Sequence, residues 1–256
     1  PSGKGPRIGL VEIEGLIINS EKTVKQLDRF ARRDDIEALL LRIDSPGGTV
    51  AASQEIYAKV RKIREAGEKP VIVSMGTVAA SGGYYIAMGA DSIMANPGTA
   101  TGSIGVIMDY PVAEDLLGKL GLQMEVVKSA ALKDAGSPYR QPTDADRQVF
   151  QGIIDDLHAQ FVEVVAEERG LSTAAAQQLA TGEVFTGRQA LALKLVDLLG
   201  SYEDAVELAG ALTGDDKRPV IIKPVERKRL SLWELLTGTE QTSFWSPLFL
   251  PQYRMR

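Results

Sequence analysis

Three clusters of small and hydroxyl-bearing residues carry the chemistry open to this chain: Ser45-Pro46-Gly47-Gly48, Ala80-Ser81-Gly82-Gly83 and Thr101-Gly102-Ser103. Glycine lets the backbone turn sharply and present an amide N–H with no side chain in the way. Such an N–H can donate to the oxyanion that develops during acyl transfer. Gly48 suits that role, Gly82 offers a second amide, and Ser81 offers a hydroxyl projecting from a tight turn at a helix start. Taken singly, each cluster has a plain structural explanation: Ser-Pro-Gly-Gly is a common turn, and a serine before two glycines is an ordinary helix N-cap. Their occurrence together, one strand–helix unit apart, favours a site.

A hydroxyl nucleophile needs a base. His158 is the single imidazole. It falls in mid-helix beside an apolar stripe, away from any glycine-rich loop, and reads as structural. That leaves lysine or a carboxylate. Lys133, in the segment 128–134, follows a strand-like run and is set among small apolar residues. A lysine acts as a base only when neutral, which requires its pKa to fall from about 10.4 toward 7–8. Burial in an apolar pocket supplies such a fall, because desolvation disfavours the ammonium. By itself Lys133 is equally readable as a solvated surface lysine. Ser103 could hold the amine by a hydrogen bond or be an ordinary turn serine.

The elements that must position these residues alternate. Runs at 7–13, 36–43 and 71–75 read as strands, and 22–33 and 49–66 as helices. The run at 36–43 is nearly all apolar, as in a strand covered on both faces. Further strands are expected at 92–95, 104–108 and 123–127, and helices at 79–90 and 113–120. A long helix is expected over 143–169, with shorter ones at 173–180, 187–193 and 202–212. This alternation implies an α/β fold with a mostly parallel sheet and right-handed crossovers, in which ligands bind at the carboxyl ends of strands. Residues 1–213 read as the α/β domain. Residues 214–256 read as a C-terminal extension, basic over 217–229 and apolar and aromatic at 232–236 and 244–250. That last stretch is open to three readings: it caps a neighbour's surface, it is disordered, or it touches membrane with help from the basic run.

Bulk properties exclude several classes. With no cysteine and one histidine among 256 residues, the chain cannot build thiolate catalysis, disulfides or multi-histidine metal sites. Its formal charge of −5 argues against a nucleic-acid partner. No apolar run approaches the roughly 20 residues of a membrane-spanning helix. Pro1 in first position points to a missing N-terminal segment, where a membrane anchor is expected.

The motifs IDSPGG at 43–48, AASGGYYIAMGAD at 79–91, GTATGSIGV at 98–106 and KSAALKDAGSPYR at 128–140, with FTGRQALALKLVDLLG at 185–200, resemble the signal peptide peptidase A (protease IV) family. These are Ser–Lys peptidases related in fold to Clp protease and the crotonases, and the resemblance covers residues 7–213. It implies Ser81 as nucleophile, Lys133 as general base, the Gly48 and Gly82 amides as oxyanion donors, and Ser103 as the residue positioning the lysine. It implies neither metal nor cofactor. Where family members often read Lys-Ser-Gly, this chain has Lys128-Ser129-Ala130, which removes no group the chemistry requires. The resemblance further implies cleaved signal peptides and other apolar peptides as substrates, and an extracytoplasmic catalytic domain held by a membrane anchor. For a single-copy chain it implies a homo-oligomeric ring in which Ser81 of one subunit meets Lys133 of the next. Competing readings are a Ser–Lys peptidase acting on a stomatin-type membrane scaffold protein, a crotonase-like acyl-CoA enzyme without a covalent serine, a Ser–His–Asp peptidase using His158, and a structural module.

Overall fold

The structure, a computed structural model, describes residues 5–224 and 252–254. Most of the expected C-terminal extension, including its aromatic stretch at 244–250, lies outside the described residues.

The central sheet is the α/β arrangement expected. Strands β1 (Arg7–Glu14), β2 (Ala38–Ser45) and β4 (Val71–Ala80) run parallel side by side. Short β3 (Gly47–Thr49) stands apart from them, directly after β2. The sheet is covered on both faces, and this explains the nearly continuous apolar runs. Leu39, Leu41 and Ile43 point into a large core under helices α1 (Glu21–Ala31), α2 (Val50–Ala66) and α3 (Gly82–Ala87). Alternate residues Ala38 and Leu40 point the other way, into a smaller core with Ala205 and Ala209 of a helix near the C-terminal end. A strand with period-two side chains and two apolar faces keeps its polar residues to its end, here Arg42, Asp44 and Ser45.

Strand β4 forks the sheet. Ile72–Ser74 pair with β5 (Ser92–Ala95), whereas Val78–Ala80 pair with β6 (Ala100–Gly102). The switch coincides with an irregularity between Ile43 and Ser45 in β2, where the Asp44 carboxylate accepts a hydrogen bond from Val78 N at 3.1 Å. A side chain thus substitutes for a missing ladder partner. Gly76 is needed here, because a Cβ would lie 2.6 Å from the Asp44 carboxyl carbon. The fork carries the end of β4 to the place where Ser81 begins α3.

The expected strands at 104–108 and 123–127 are not formed. Residues 106–142 instead make an arm with a short helix α4 (Glu114–Lys119) and a 3-10 turn (Ala131–Asp134). The strand-like alternation at 123–127 finds no neighbour to pair with, and Val127 is 99% exposed. Beyond the arm lies the long helix α5 (Asp144–Arg169). A capping box opens it, with Thr143 and Asp146 satisfying each other's backbone N–H groups. Helix α6 (Thr173–Leu179), β7 (Val184–Thr186), α7 (Gly187–Ala192), β8 (Leu198–Leu199) and α8 (Tyr202–Ala211) follow. β7 is antiparallel to β6, and α8 covers the smaller core. Two pieces of the C-terminal region join this unit. β9 (Val220–Ile222) extends the sheet beside β1, and β10 (Gln252–Arg254) pairs antiparallel with β3.

Candidate active site

The nucleophile candidate stands on a sharp strand-to-helix turn. Ser81 has φ +52° and ψ −114°, a backbone state that L-residues rarely adopt. It is held there by Ser81 N donating to Gly102 O at 2.7 Å and by Tyr85 N donating to Ser81 O at 2.8 Å. The Ser81 side chain does not cap α3 as a plain helix N-cap would. Its Oγ is buried and has no hydrogen-bond partner among the described residues. A buried hydroxyl left in this way costs about 1–3 kcal/mol, and strain of this kind concentrates where a fold holds a reactive group. Ser103 lies beside it. Ala80 and Gly102 are paired in register, so Ser81 and Ser103 leave adjacent strands at equivalent positions. Ser103 is likewise buried, with φ +50°, its N–H bonded to Glu183 O at 2.7 Å.

The glycine pair on the other side of Ser81 is fixed just as firmly. Ser45 Oγ donates to Gly15 O at 2.6 Å and accepts from Gly47 N at 3.1 Å, locking the turn out of β2. Gly47 O then accepts from Ile17 N, and Thr49 N donates to Ile17 O. One edge of β3 is therefore spent on Ile17, and strand alternation turns the N–H and C=O of Gly48 to the opposite edge. There Gly48 is paired with Tyr253 of β10. The approach is close: a Cβ on Gly47, whose φ is +102°, would lie 2.0 Å from Tyr253 O and 2.7 Å from Gly82 N. A Cβ on Gly82 would lie 3.2 Å from both Gly48 N and Tyr253 O. A peptide carbonyl oxygen is thus lodged against the Gly48 and Gly82 backbone, next to Ser81.

The Tyr253 side chain fills a pocket that the sequence does not reveal. Its ring stacks on Tyr85 at 5.2 Å and packs against Phe161 at 4.7 Å, while its hydroxyl donates to Leu157 O at 3.1 Å. Tyr57 meets the far side of Tyr85 edge-on at 5.1 Å. Burial pushes the Tyr253 phenol above its ordinary range, so the ring stays neutral. Tyr84, next in chain to Tyr85, serves the core, donating to Leu195 O at 2.9 Å. The three pocket rings come from α2, α3 and α5, so no local spacing announces them.

Lys133 is not brought to Ser81 within one chain. It lies on the 3-10 turn of the arm and is exposed, and it is not a hydrogen-bond partner of Ser81 Oγ. The expected burial in a small apolar pocket is absent from the single chain. The adjacent residues are well ordered by charge: Asp134 accepts from Lys128 at 2.7 Å and from Arg140 at 2.9 and 3.0 Å. Arg140 and Lys128 hold the Asp134 carboxyl well below the usual carboxylate range. His158 Nε2 lies 2.9 Å from Ala180 O, on the wall of a cleft of about 400 Å³ that also reaches Ser103. It too is not bonded to Ser81. No cluster of three or more His, Asp or Glu side chains suited to a metal occurs among the described residues.

Comparison with known proteins agrees with this architecture. The family model for peptidase family S49 matches residues 63–214, and that for Clp protease matches residues 17–101. A Synechocystis protein named a protease is 42% identical over 236 residues, covering 92% of this chain and 84% of its own length. An Enterococcus faecium protein named a signal peptide peptidase is 38% identical over 189 residues, and Protease 4 of Haemophilus influenzae is 37% identical over 217 residues. The matches cover 74% and 80% of this chain but only 55% and 35% of those longer relatives. Among the described residues, no helix is long and apolar enough to cross a membrane. The chain belongs to peptidase family S49, the serine peptidases to which its motifs pointed.

Proposed function

We propose that the chain is a serine endopeptidase that cleaves apolar, extended peptides, cleaved signal peptides among them, with Ser81 as nucleophile and Lys133 of a second copy as general base. The observation that carries this reading is the peptide strand already seated beside Ser81. β10 lies antiparallel on β3, and its Tyr253 carbonyl oxygen abuts the Gly48 and Gly82 backbone. Strand addition of this kind recognises any extended peptide through its main chain and leaves selectivity to side-chain pockets. An acyl-CoA thioester has no such ladder to offer.

In the proposed reaction, neutral Lys133 accepts the Ser81 Oγ proton as Oγ attacks the scissile carbonyl carbon. The oxyanion is met by the Gly48 and Gly82 N–H groups. The lysine then gives its proton to the departing amine, leaving an acyl-serine. Water, deprotonated by the same lysine, attacks the ester, and the lysine returns that proton to Ser81 Oγ as the acyl–oxygen bond breaks and the acid departs. Ser103, level with Ser81 on the neighbouring strand, holds the amine in line. The base comes from a second copy because the arm that carries it stands exposed. Leu116, Leu120, Leu122, Met124 and Val127 are each more than half exposed, an apolar surface suited to an interface between copies. A heterologous contact of this kind closes into a ring. Retention of a membrane anchor upstream of Pro1 and an extracytoplasmic setting belong to the same proposal, and rest on the resemblance to signal peptide peptidases.

The test is covalent. A fluorophosphonate should label the wild-type chain at Ser81, should fail on Ser81→Ala, and should label Lys133→Ala at least about 100-fold more slowly. Labelling of Lys133→Ala at the wild-type rate, in protein of matched assembly size, overturns the assignment of the base.

A further inference from the structure

The base segment has an anchor that the mechanism does not itself call for. Every residue from 121 to 133 is exposed, so the chain leading to Lys133 has no core of its own to set its position. Immediately after Lys133, Asp134 enters a cluster centred on Arg140. Arg140 Nε donates to Asp134 Oδ2 at 3.0 Å and Nη2 to Asp134 Oδ1 at 2.9 Å. The same guanidinium reaches Asp146, with Nη1 on Oδ2 and Nη2 on Oδ1 at 3.1 Å. Asp146 is only 1% exposed and is the N3 residue of the α5 capping box, where it also accepts from Thr143 N at 2.8 Å.

We propose that Arg140 is the positioning residue for the catalytic base: it ties Asp134 to the fixed first turn of α5 and so sets where the Lys133 side chain leaves the arm. The proposal rests on Lys133 being the base. A planar fork with five donors can hold two carboxylates at once, and a lysine ammonium cannot reproduce that geometry. Arg140 also balances charge. The groups facing this turn are Lys128 on its own segment, Arg140 in the following loop, Asp146 from α5 and, through Gln141 N at 2.8 Å, Glu114 from α4. Lys128 and Arg140 offset Asp134 and Asp146. Without Arg140, Lys128 alone faces the Asp134 and Asp146 carboxylates, and the net negative charge left beside the base favours its charged form.

The experiment measures kcat and KM of the full chain on an apolar fluorogenic peptide between pH 5.5 and 10, with melting temperature and assembly size followed in parallel. Arg140→Gln should lower kcat about 100-fold through misplacement of the base. It should leave KM within about twofold and move the acid limb of the profile up by about 0.5–1 pH unit. Arg140→Lys keeps the charge but not the fork, so kcat should fall about tenfold with the limb in place. Asp134→Asn removes both the tie and the carboxylate, so kcat should fall about tenfold with no upward movement of the limb.

The proposal is overturned if assembled Arg140→Gln turns over within threefold of wild type. It is equally overturned if Arg140→Gln and Arg140→Lys lose activity together with an unmoved limb, the mark of a purely structural arginine. Should Arg140→Gln fail to assemble, normal kcat in both Arg140→Lys and Asp134→Asn overturns it. Lys133→Ala, run alongside, separates the two claims. Full turnover there refutes the base itself, whereas an inactive Lys133→Ala beside normal Arg140 variants refutes only the positioning role.

Discussion

The pocket holding Tyr253 predicts which peptide bonds this chain cuts. The carbonyl lodged against Gly48 and Gly82 belongs to Tyr253; with those amides as the proposed oxyanion donors, the Tyr253 side chain would take the place of the substrate residue on the acyl side of the scissile bond. Full burial of such a ring in place of a methyl is worth about 1.5–3 kcal/mol, and each ring–ring contact adds about 0.5–1.5 kcal/mol. Against this stands the ordering of the side chain, about 0.5–1.5 kcal/mol. A net of about 2–3 kcal/mol corresponds to about 30- to 150-fold in kcat/KM for Tyr over Ala at that position. The assay is a set of peptides differing only there. Displacing β10 burdens every peptide equally, so the ratio is unaffected by the chain's own strand. Phe161→Leu keeps apolar volume but removes the ring 4.7 Å from Tyr253, and should lower the ratio by about two- to tenfold. Cleavage of Tyr and Ala peptides within twofold of each other, or an unchanged ratio in Phe161→Leu, would refute the reasoning.

Three further outcomes are expected. Mixing Ser81→Ala with Lys133→Ala protein in equal amounts, under conditions that exchange subunits, should restore about a quarter of wild-type activity, since a site is complete only when an intact serine meets an intact lysine across a heterologous interface; no recovery would place both groups in one chain. Gly47→Ala forces a side chain into φ +102° and a Cβ to 2.7 Å from Gly82 N, so kcat should drop about 100- to 1,000-fold with a lowered melting temperature; unchanged kinetics would show that the two glycine amides are not catalytic. Burial pushes the Glu168 carboxyl up, but the bonds from Arg64 and Tyr57 outweigh it and leave it below the usual glutamate range. Its contribution is then fully present above the unfolded value of about 4.3 and is lost as pH falls through the lower folded value. Urea unfolding of wild type and Glu168→Gln should therefore show a gap that is constant from pH 7 to about 5 and narrows below about pH 4; a gap widening toward acid would reverse the assignment.

What the residues announce and what they conceal divide along a physical line. The strands at 7–13, 36–43 and 71–75 are legible because both their faces are largely buried, which forces a nearly continuous apolar run. Gly47, Gly48, Ser81 and Gly82 are legible because a close backbone approach or a positive φ narrows the choice of residue to very few. In the arm at 106–142 the helix expected at 113–120 forms as α4, but the strand expected at 123–127 is misread for the converse reason. Residues 123–127 alternate like a strand, but a strand exists only with a partner, and none is present among the described residues. The aromatic pocket escapes because Tyr57, Tyr85 and Phe161 belong to three helices that only the tertiary fold brings together. Arg140 escapes for a related reason: its two carboxylate partners are both six residues away, a spacing that belongs to no regular helix or strand.

The misread arm and the unpartnered serine are two sides of one arrangement. A lysine becomes a base by losing water, and an exposed turn in a single chain cannot exclude it. A buried hydroxyl at a strained turn becomes a nucleophile only when a proton acceptor reaches it, and neither Lys133 nor His158 does so in one copy. Each chain therefore carries a rigid half-site, the serine, the glycine amides and the pocket. It also carries an exposed half-site, the arm with its apolar surface and its Arg140-anchored turn. In the proposed assembly, covering the apolar surface of the arm with a neighbouring copy would be the same event that dries the amine and delivers it to the hydroxyl. Under that proposal activity would be conditional on assembly, and the separation of Ser81 from Lys133 would keep a free chain from cutting indiscriminately.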